Sequence, residues 1–230
     1  MKIALISDVH GNYPALTAAL KRIRKEGCDI VVSLGDIAGY YCMVNECIEL
    51  CRENGIVNVM GNHDDYLVSG AECPRSTTAN ICIEFQRKII STENMHWLRS
   101  SINEYRKNEY WFVHGGWRDS LDEYVHAFDF AGMSGCGAKL FASGHTHIQK
   151  IQTNRDLVHV NPGSVGQPRD GDWRAAFALI DATGEVSLFR EEYDVDQIAF
   201  SMRKNGFENR YYEGLYKGLG IQQFDGRKEQ

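Results

Sequence analysis

Short apolar runs alternate with helical stripes along the chain, and several of the runs end on a glycine beside a carboxylate, an amide or an imidazole. Residues 2–6 form a strand-like run that leads directly into Ser7-Asp8-Val9-His10-Gly11. Asn12 can cap a helix opening near Pro14, because proline is tolerated in the first turn. Leu16, Ala19, Leu20 and Ile23 then recur at i, i+3, i+4 and i+7, and Gly27 ends the stripe. A second run over residues 29–34 delivers Gly35-Asp36, and an amphipathic segment over 45–53 stops near Gly55. A third run, 56–60, delivers Gly61-Asn62-His63-Asp64. A helix is expected over 77–90 with Ile81, Phe85 and Ile89 on one face. Residues 110–113 then lead to His114-Gly115, and 140–142 to Gly144-His145-Thr146-His147. Strand and helix in alternation predict a βαβ-type parallel sheet.

The pattern changes after His147. Residues 149–153, 157–160, 175–180 and 185–190 read as short strands, separated by turn signals at Asn154-Arg155-Asp156 and Ala182-Thr183-Gly184. They predict antiparallel hairpins forming a second sheet. Asp194 can cap a helix carrying Val195, Ile198, Ala199 and Met202. The tail from Phe207 is rich in tyrosine, glycine and charge, and residues 225–230 are expected to fray. One domain over 1–230 is expected, its motif-bearing part about 1–148 and its antiparallel part with the last helix about 149–220.

Composition narrows the function classes. The 230 residues carry 25 Lys+Arg against 31 Asp+Glu, a formal charge of −6. A chain of mildly acidic balance is a poor bulk nucleic-acid binder, since such binding needs a basic face to displace counterions. A small phosphorylated substrate stays open, because bound metal reverses the sign of a pocket. No apolar stretch approaches the length of a bilayer span, and the first run is too short for a signal-peptide core. The seven cysteines are odd in number and form no CxxC pair, and Cys47 and Cys51 sit four apart in a helical segment, as small core residues do. These features predict a reduced, cytoplasmic protein.

The strand ends hold the chemistry. Sheets of this type place ligand sites outside the carboxyl ends of their strands, and here five successive ends present metal-ligand residue types. His10, His63, His114, His145 and His147, five of the eight histidines, fall there, a recurrence that scattered structural histidines do not produce. Carboxylate, imidazole and amide oxygen suit Mn, Fe, Zn or similar ions better than a thiolate zinc site. Asp8, His10, Asp36, Asn62, His114, His145 and His147 are too many ligands for one ion with open positions and a natural number for two ions sharing a bridge. Two metals about 3.5–4 Å apart can hold a hydroxide and clamp a phosphoryl group.

Asp8-Val9-His10-Gly11-Asn12, Gly35-Asp36, Gly61-Asn62-His63-Asp64, Val113-His114-Gly115 and Gly144-His145-Thr146-His147 resemble the five ordered blocks of the calcineurin-like metallophosphoesterase superfamily. Gly39-Tyr40, Asn45-Glu46-Cys47, Arg118-Asp119 and Asn161-Pro162-Gly163-Ser164-Val165-Gly166-Gln167-Pro168-Arg169 resemble its small prokaryotic-type phosphoesterase subgroup. The resemblance implies an α/β fold, a two-sheet β-sandwich flanked by helices (α/β/β/α). It implies one metal on Asp8, His10, Asp36 and His147 and a second on Asp36, Asn62, His114 and His145, with Asp36 bridging. It further implies a metal-dependent phosphodiesterase or phosphatase in which a metal-bridging hydroxide attacks phosphorus. The two divalent ions would be Mn, Fe, Zn or Ni, and the substrate a small phosphorylated one, nucleotide-like molecules included. His63 would protonate the leaving oxygen or stabilise its charge, and Asp64 would orient His63 through a hydrogen bond.

Arg118 and Arg169 are candidate phosphate-binding residues. Tyr40, Tyr41, Tyr66 and Trp117 are candidates for stacking a base or aromatic ester, although aromatics also simply pack a rim. His96, His126 and His159 fall off the motif pattern and are expected to be structural. The chain departs from the subgroup at Tyr41-Cys42 and at Gly116-Trp117, where relatives often carry Gly-Pro and Ser-Pro; both positions flank the site and bear on substrate preference, and Cys42 becomes a candidate for oxidation. Two other readings compete. A non-catalytic scaffold of the same fold has no need of His63-Asp64. A metal-dependent amidohydrolase usually opens with two histidines on its first strand and needs a longer barrel.

Overall fold

A computed structural model of the chain describes residues 1–221; the tail expected to fray at 225–230 lies outside them. Two five-stranded sheets pack face to face with helices on the outside, which is the architecture the resemblance implied. The first sheet has the order β10-β9-β1-β2-β3, made of β1 (Ile3–Ile6), β2 (Ile30–Ser33), β3 (Val57–Asn58), β9 (Ala175–Ile180) and β10 (Val186–Glu191). The second has the order β4-β5-β6-β8-β7, made of β4 (Tyr105–Lys107), β5 (Tyr110–Phe112), β6 (Leu140–Ala142), β7 (Lys150–Asn154) and β8 (Leu157–Asn161).

β1, β2 and β3 run parallel, as do β5, β6 and β8. The carboxyl ends of each parallel trio therefore gather at one edge of its sheet. β1 is buried on both faces. Its Ile3 and Leu5 enter the layer between the sheets, beside Val32, Phe112, Leu140 and Val160, while Ala4 and Ile6 face the helix layer. That two-sided burial explains why its sequence reads as a continuous apolar run rather than an alternating one.

The helices obey their stripes. α1 (Tyr13–Lys25) starts where the Asn12 side chain accepts a hydrogen bond from Ala15 N, and buries Leu16, Ala19, Leu20 and Ile23. α2 (Val44–Glu53) buries Cys47 and Cys51, and all seven cysteines are unbridged. α3 (Asn62–Ser69) follows β3 directly, and α6 (Val195–Lys204) is capped by Asp194 and buries the four expected apolar residues. α5 (Thr92–Arg99) and β4 complete the connection to the second sheet.

Two expectations are corrected. The hairpins after His147 do not make a sheet of their own: β9–β10 adds antiparallel to β1, whereas β7–β8 joins the second sheet, where β8 pairs parallel with β6. Local alternation identifies a hairpin but not the edge it joins, and the wholly apolar β9 (Ala-Ala-Phe-Ala-Leu-Ile) needs cover on both faces. In α4 (Thr77–Ile89) the face toward the core carries Ala79, Cys82, Ile83 and Gln86, while Ile81 and Ile89 are exposed at 46% and 38%. Gln86 turns inward because the loop after β2 offers it backbone partners, and that fixes the helix rotation.

Candidate metal centre

The residues expected as ligands come together where the two parallel trios meet. Asp8 and His10 follow β1, Asp36 follows β2, Asn62 opens α3, His114 follows β5, and His145 and His147 follow β6. All seven side chains are buried. Asp8, His10 and His147 form one group, Asp36, His114 and His145 another, and His10, Asp36 and His63 a third, each with ligand atoms within 4.8 Å of one another.

The backbone is bent hard to achieve this. Asp8, His10, Asp36, His145 and His147 all have φ between 52° and 62°, the left-handed region. Such conformations cost a non-glycine residue about 1–3 kcal/mol each and persist only where surrounding bonds over-determine them. The bonds are present: Asp8 N, His10 N and Gly11 N donate to the carbonyls of Gly35, Asp36 and Ile37. Gly61 must be glycine, since a Cβ there would strike the Asp36 carboxylate.

Proton positions follow from the partners. His10 Nδ1 donates to Ala38 O (2.9 Å), His114 Nδ1 to Leu34 O (2.8 Å) and His147 Nδ1 to Gln167 O (2.6 Å). A carbonyl only accepts, so in each neutral ring Nε2 carries a lone pair. His10 Nε2 and His147 Nε2 nevertheless face each other at 3.1 Å, and His114 Nε2 faces Asn62 Oδ1 at 3.0 Å. Lone pair meets lone pair in both places. Asp8 Oδ1, Asp36 Oδ2 and His145 Nε2 are buried without any hydrogen-bond donor. Asp36 Oδ2 lies 3.4 Å from His114 Nε2 and 3.8 Å from His10 Nε2, between the two groups. Converging acceptors that repel one another and lack donors fit divalent cations, with oxygen and imidazole nitrogen as the donor set.

The electrostatics agree. Burial, then the charges of Asp64 and Asp8, push the Asp36 carboxyl well above its usual range. Burial likewise pushes the pKa of His10, His63, His145 and His147 down, which favours the neutral ring, the form in which an imidazole can ligate a metal.

His63 stands beside this cluster, its ring 4.8 Å from that of His10 and 4.9 Å from that of Tyr40. The expected bond from Asp64 is not formed. The Asp64 carboxylate accepts instead from Asp36 N (2.9 Å), Ala38 N (2.8 Å), Gly61 N (3.3 Å) and Asn58 Nδ2 (3.3 Å), and His63 Nδ1 has no partner. Asp64 sits in the first turn of α3 and faces the unsatisfied amides of the loop after β2, so it holds Asp36 in place and leaves His63 to packing. Burial raises its carboxyl to about 6.

Arg169 lines the cavity above the ligands, its guanidinium donating to Tyr40 Oη (3.2 Å) and to Gln167 Oε1 (2.8 and 3.1 Å). Arg118 does not line it. Its side chain is 80% exposed and pairs with Glu123 and Asp129. Tyr40 lines the cavity beside Arg169, Tyr41 is a buried support, Tyr66 Oη donates to Asp122, and Trp117 packs on Phe128 and Phe141. His96 and His126 are exposed, while His159 is buried between Ser143 Oγ and Gln152 Nε2, as structural histidines are. Cys42 is buried in the helix-side core and its thiol is pushed up to about 11 by burial, an environment that disfavours the reactive thiolate.

Sequence reasoning missed several supports. Gln86 brackets residues 39–41, donating to Gly39 O and Tyr41 O and accepting from Gly39 N. Asn161 donates to Gly144 O and Thr146 Oγ1, and Ser164 Oγ donates to Asp8 O, so the segment after β8 braces the turns carrying Asp8 and His147. Arg75 also lines the cavity and had no motif to mark it. The density of Asn, Pro, Gly, Ser and Gln over 161–169 was the available signal for the brace.

The profile of the calcineurin-like phosphoesterase superfamily domain matches residues 1–185. The chain belongs to that superfamily. It is 33% identical to the uncharacterised protein MJ0912 of Methanocaldococcus jannaschii, over 94% of this chain and 98% of that one. Among solved structures, a metallophosphoesterase from Sphaerobacter thermophilus superposes with a TM-score of 0.81 at 29% identity, covering 95% of this chain and all of the other. The hypothetical protein PH1004 from Pyrococcus horikoshii shares the fold, with a TM-score of 0.80 at 21% identity and coverage of 95% and 99%. The calcineurin-like superfamily is one of divalent-metal proteins, and the His/Asp groups of this member stand where such ions would be held. Among the described residues no helix is long and apolar enough to cross a membrane.

Proposed function

We propose that the protein is a metal-dependent phosphoester hydrolase with a binuclear centre, acting on small phosphodiesters or phosphomonoesters. One divalent ion would take Asp8, His10, Asp36 and His147, and the other Asp36, Asn62, His114 and His145. The observation that carries this reading is the pair of lone-pair clashes, His10 against His147 and His114 against Asn62, around an undonated Asp36 oxygen. Two such ions, when bound, supply Lewis-acid polarisation and lower the pKa of water.

The chain's own groups do the rest. Arg169, held by neutral partners, presents positive charge to a phosphoryl oxygen. His63 lines the same cavity and can protonate the leaving oxygen or, as the neutral ring that burial favours, stabilise its charge through an N–H hydrogen bond. Asp64 keeps the loop bearing Asp36 in register through its backbone bonds. The neutral rings of His10, His145 and His147 offer lone pairs to cations without first shedding protons.

The test is metal analysis combined with hydrolysis of a chromogenic phosphodiester and phosphomonoester, with and without chelator. Activity that is lost to chelator and restored by Mn, Ni, Fe or Zn supports the reading. No hydrolysis of either ester after reloading overturns it.

A further inference from the structure

The rim of the cavity carries a second guanidinium that the proposed chemistry does not use. Arg75 precedes α4, is 41% exposed in its side chain, and lines the same space as Arg169, Asn62, His63, His145 and His147. It is engaged by Asp122, whose Oδ1 pairs with Arg75 Nη2. The same Oδ1 lies 3.9 Å from the undonated Nε2 of His145, and Oδ2 accepts from Tyr66 Oη at 3.2 Å. Tyr124 completes the rim, its ring 4.0 Å from that of His145 and 5.4 Å from the Arg75 guanidinium.

This places a carboxylate where an anionic ligand would lie, between a guanidinium and the edge of a metal-ligand group. The enclosed space is small, about 20 Å³, on the order of one water. Asp122 stands beside this space, paired with Arg75 and near His145, so an oxyanion that reaches the Arg75 guanidinium competes with it.

Resting on the phosphoesterase reading, we propose that Arg75 is a specificity-determining residue that binds a terminal phosphoryl dianion, and that Asp122 is its internal stand-in, displaced when that dianion enters. Two guanidiniums facing one pocket favour a dianion over a monoanionic diester, because the additional charge gains most from the additional cation. The carboxylate keeps Arg75 ordered and, by competing, sets the affinity.

Calorimetric titration of the metal-loaded protein with inorganic phosphate and with dimethyl phosphate, at a pH where phosphate is a dianion, tests this. Asp122→Asn is expected to tighten phosphate by about tenfold, since it removes a charge a few ångströms from the bound anion, with metal content unchanged. Arg75→Gln should weaken phosphate by about tenfold and dimethyl phosphate less, and the loss should be larger when it is introduced into Asp122→Asn than into the wild type, because no carboxylate then competes for the guanidinium. Arg75→Lys and Asp122→Ala serve as second variants at each position and should fall on the same side as the first. Unchanged or weaker phosphate binding in Asp122→Asn overturns the proposal, as does metal loss, which would make Asp122 a ligand. Equal losses for the two anions in Arg75→Gln remove the dianion preference. A wild-type protein that hydrolyses neither chromogenic ester yet shows this order of affinities sinks the hydrolase reading alone.

Discussion

Asp8, His10, Asp36, His114 and His147 are each held by a partner that leaves one ligand atom free, and the proposed function separates these from His63 as proton donor. Asp36→Asn is expected to lose metal and at least about 100-fold in rate, because a neutral amide cannot balance charge for two cations. His63→Ala should keep its metal and lose about 10²–10⁴-fold in rate, most on esters with poor leaving groups; metal analysis beside kinetics checks both. His159 provides a residue-scale test of the fold. Burial pushes its pKa down to about 4, so below the unfolded value near 6.5 the unfolded chain binds the proton first. Stability from this group is present at neutral pH and is lost as pH falls. Urea unfolding should show that the wild type loses about 2 kcal/mol more between pH 7 and pH 5 than a His159→Gln variant does.

At the scale of elements, the strands bring the ligands and the loops set their aim. β1 and β2 were readable as apolar runs with a turn signal behind each, and the residues after them were readable as ligands from type and recurrence. What neither run reveals is the rotation of α4, which depends on Gln86 finding backbone partners in a loop about 45 residues earlier. Gln86→Leu keeps the helix but strands those backbone groups. It should cost about 1–3 kcal/mol and weaken metal binding, because the same loop carries Asp36 and the Ala38 carbonyl that orients His10; denaturation and metal titration check it. Asp64 teaches a similar point. Its position beside His63 pointed to a pair, yet the amides of the loop after β2 are nearer and more numerous, and it bonds to them.

Across the whole molecule the site is a seam. Asp8, His10 and Asp36 follow strands of the first sheet, Asn62 opens the helix after its last strand, and His114, His145 and His147 follow strands of the second. Cations held there tie the two sheets, and a ligand that binds only the folded state stabilises it by mass action. With free metal about a hundredfold above its Kd the gain is about 2.7 kcal/mol, so chelation should lower the melting temperature, and a scanning-calorimetry comparison of loaded and stripped protein reads the shift directly.

The sequence by itself determined the ligand types, their order and their attachment to strand ends, because residue chemistry and hydrophobic period are local properties. It also determined the Asn12 and Asp194 caps and stripes of α1 and α6 and the amphipathic character of α2, where one apolar face has only one way to be buried. The tertiary structure alone decided which edges the two hairpins join, which face of α4 turns inward, and that Asp64 braces a loop rather than His63. It alone placed Arg169 over the ligands and Arg118 in solvent, and set Asp122 against Arg75. These outcomes depend on which backbone groups and charges, distant in sequence, become neighbours, and no local pattern encodes that.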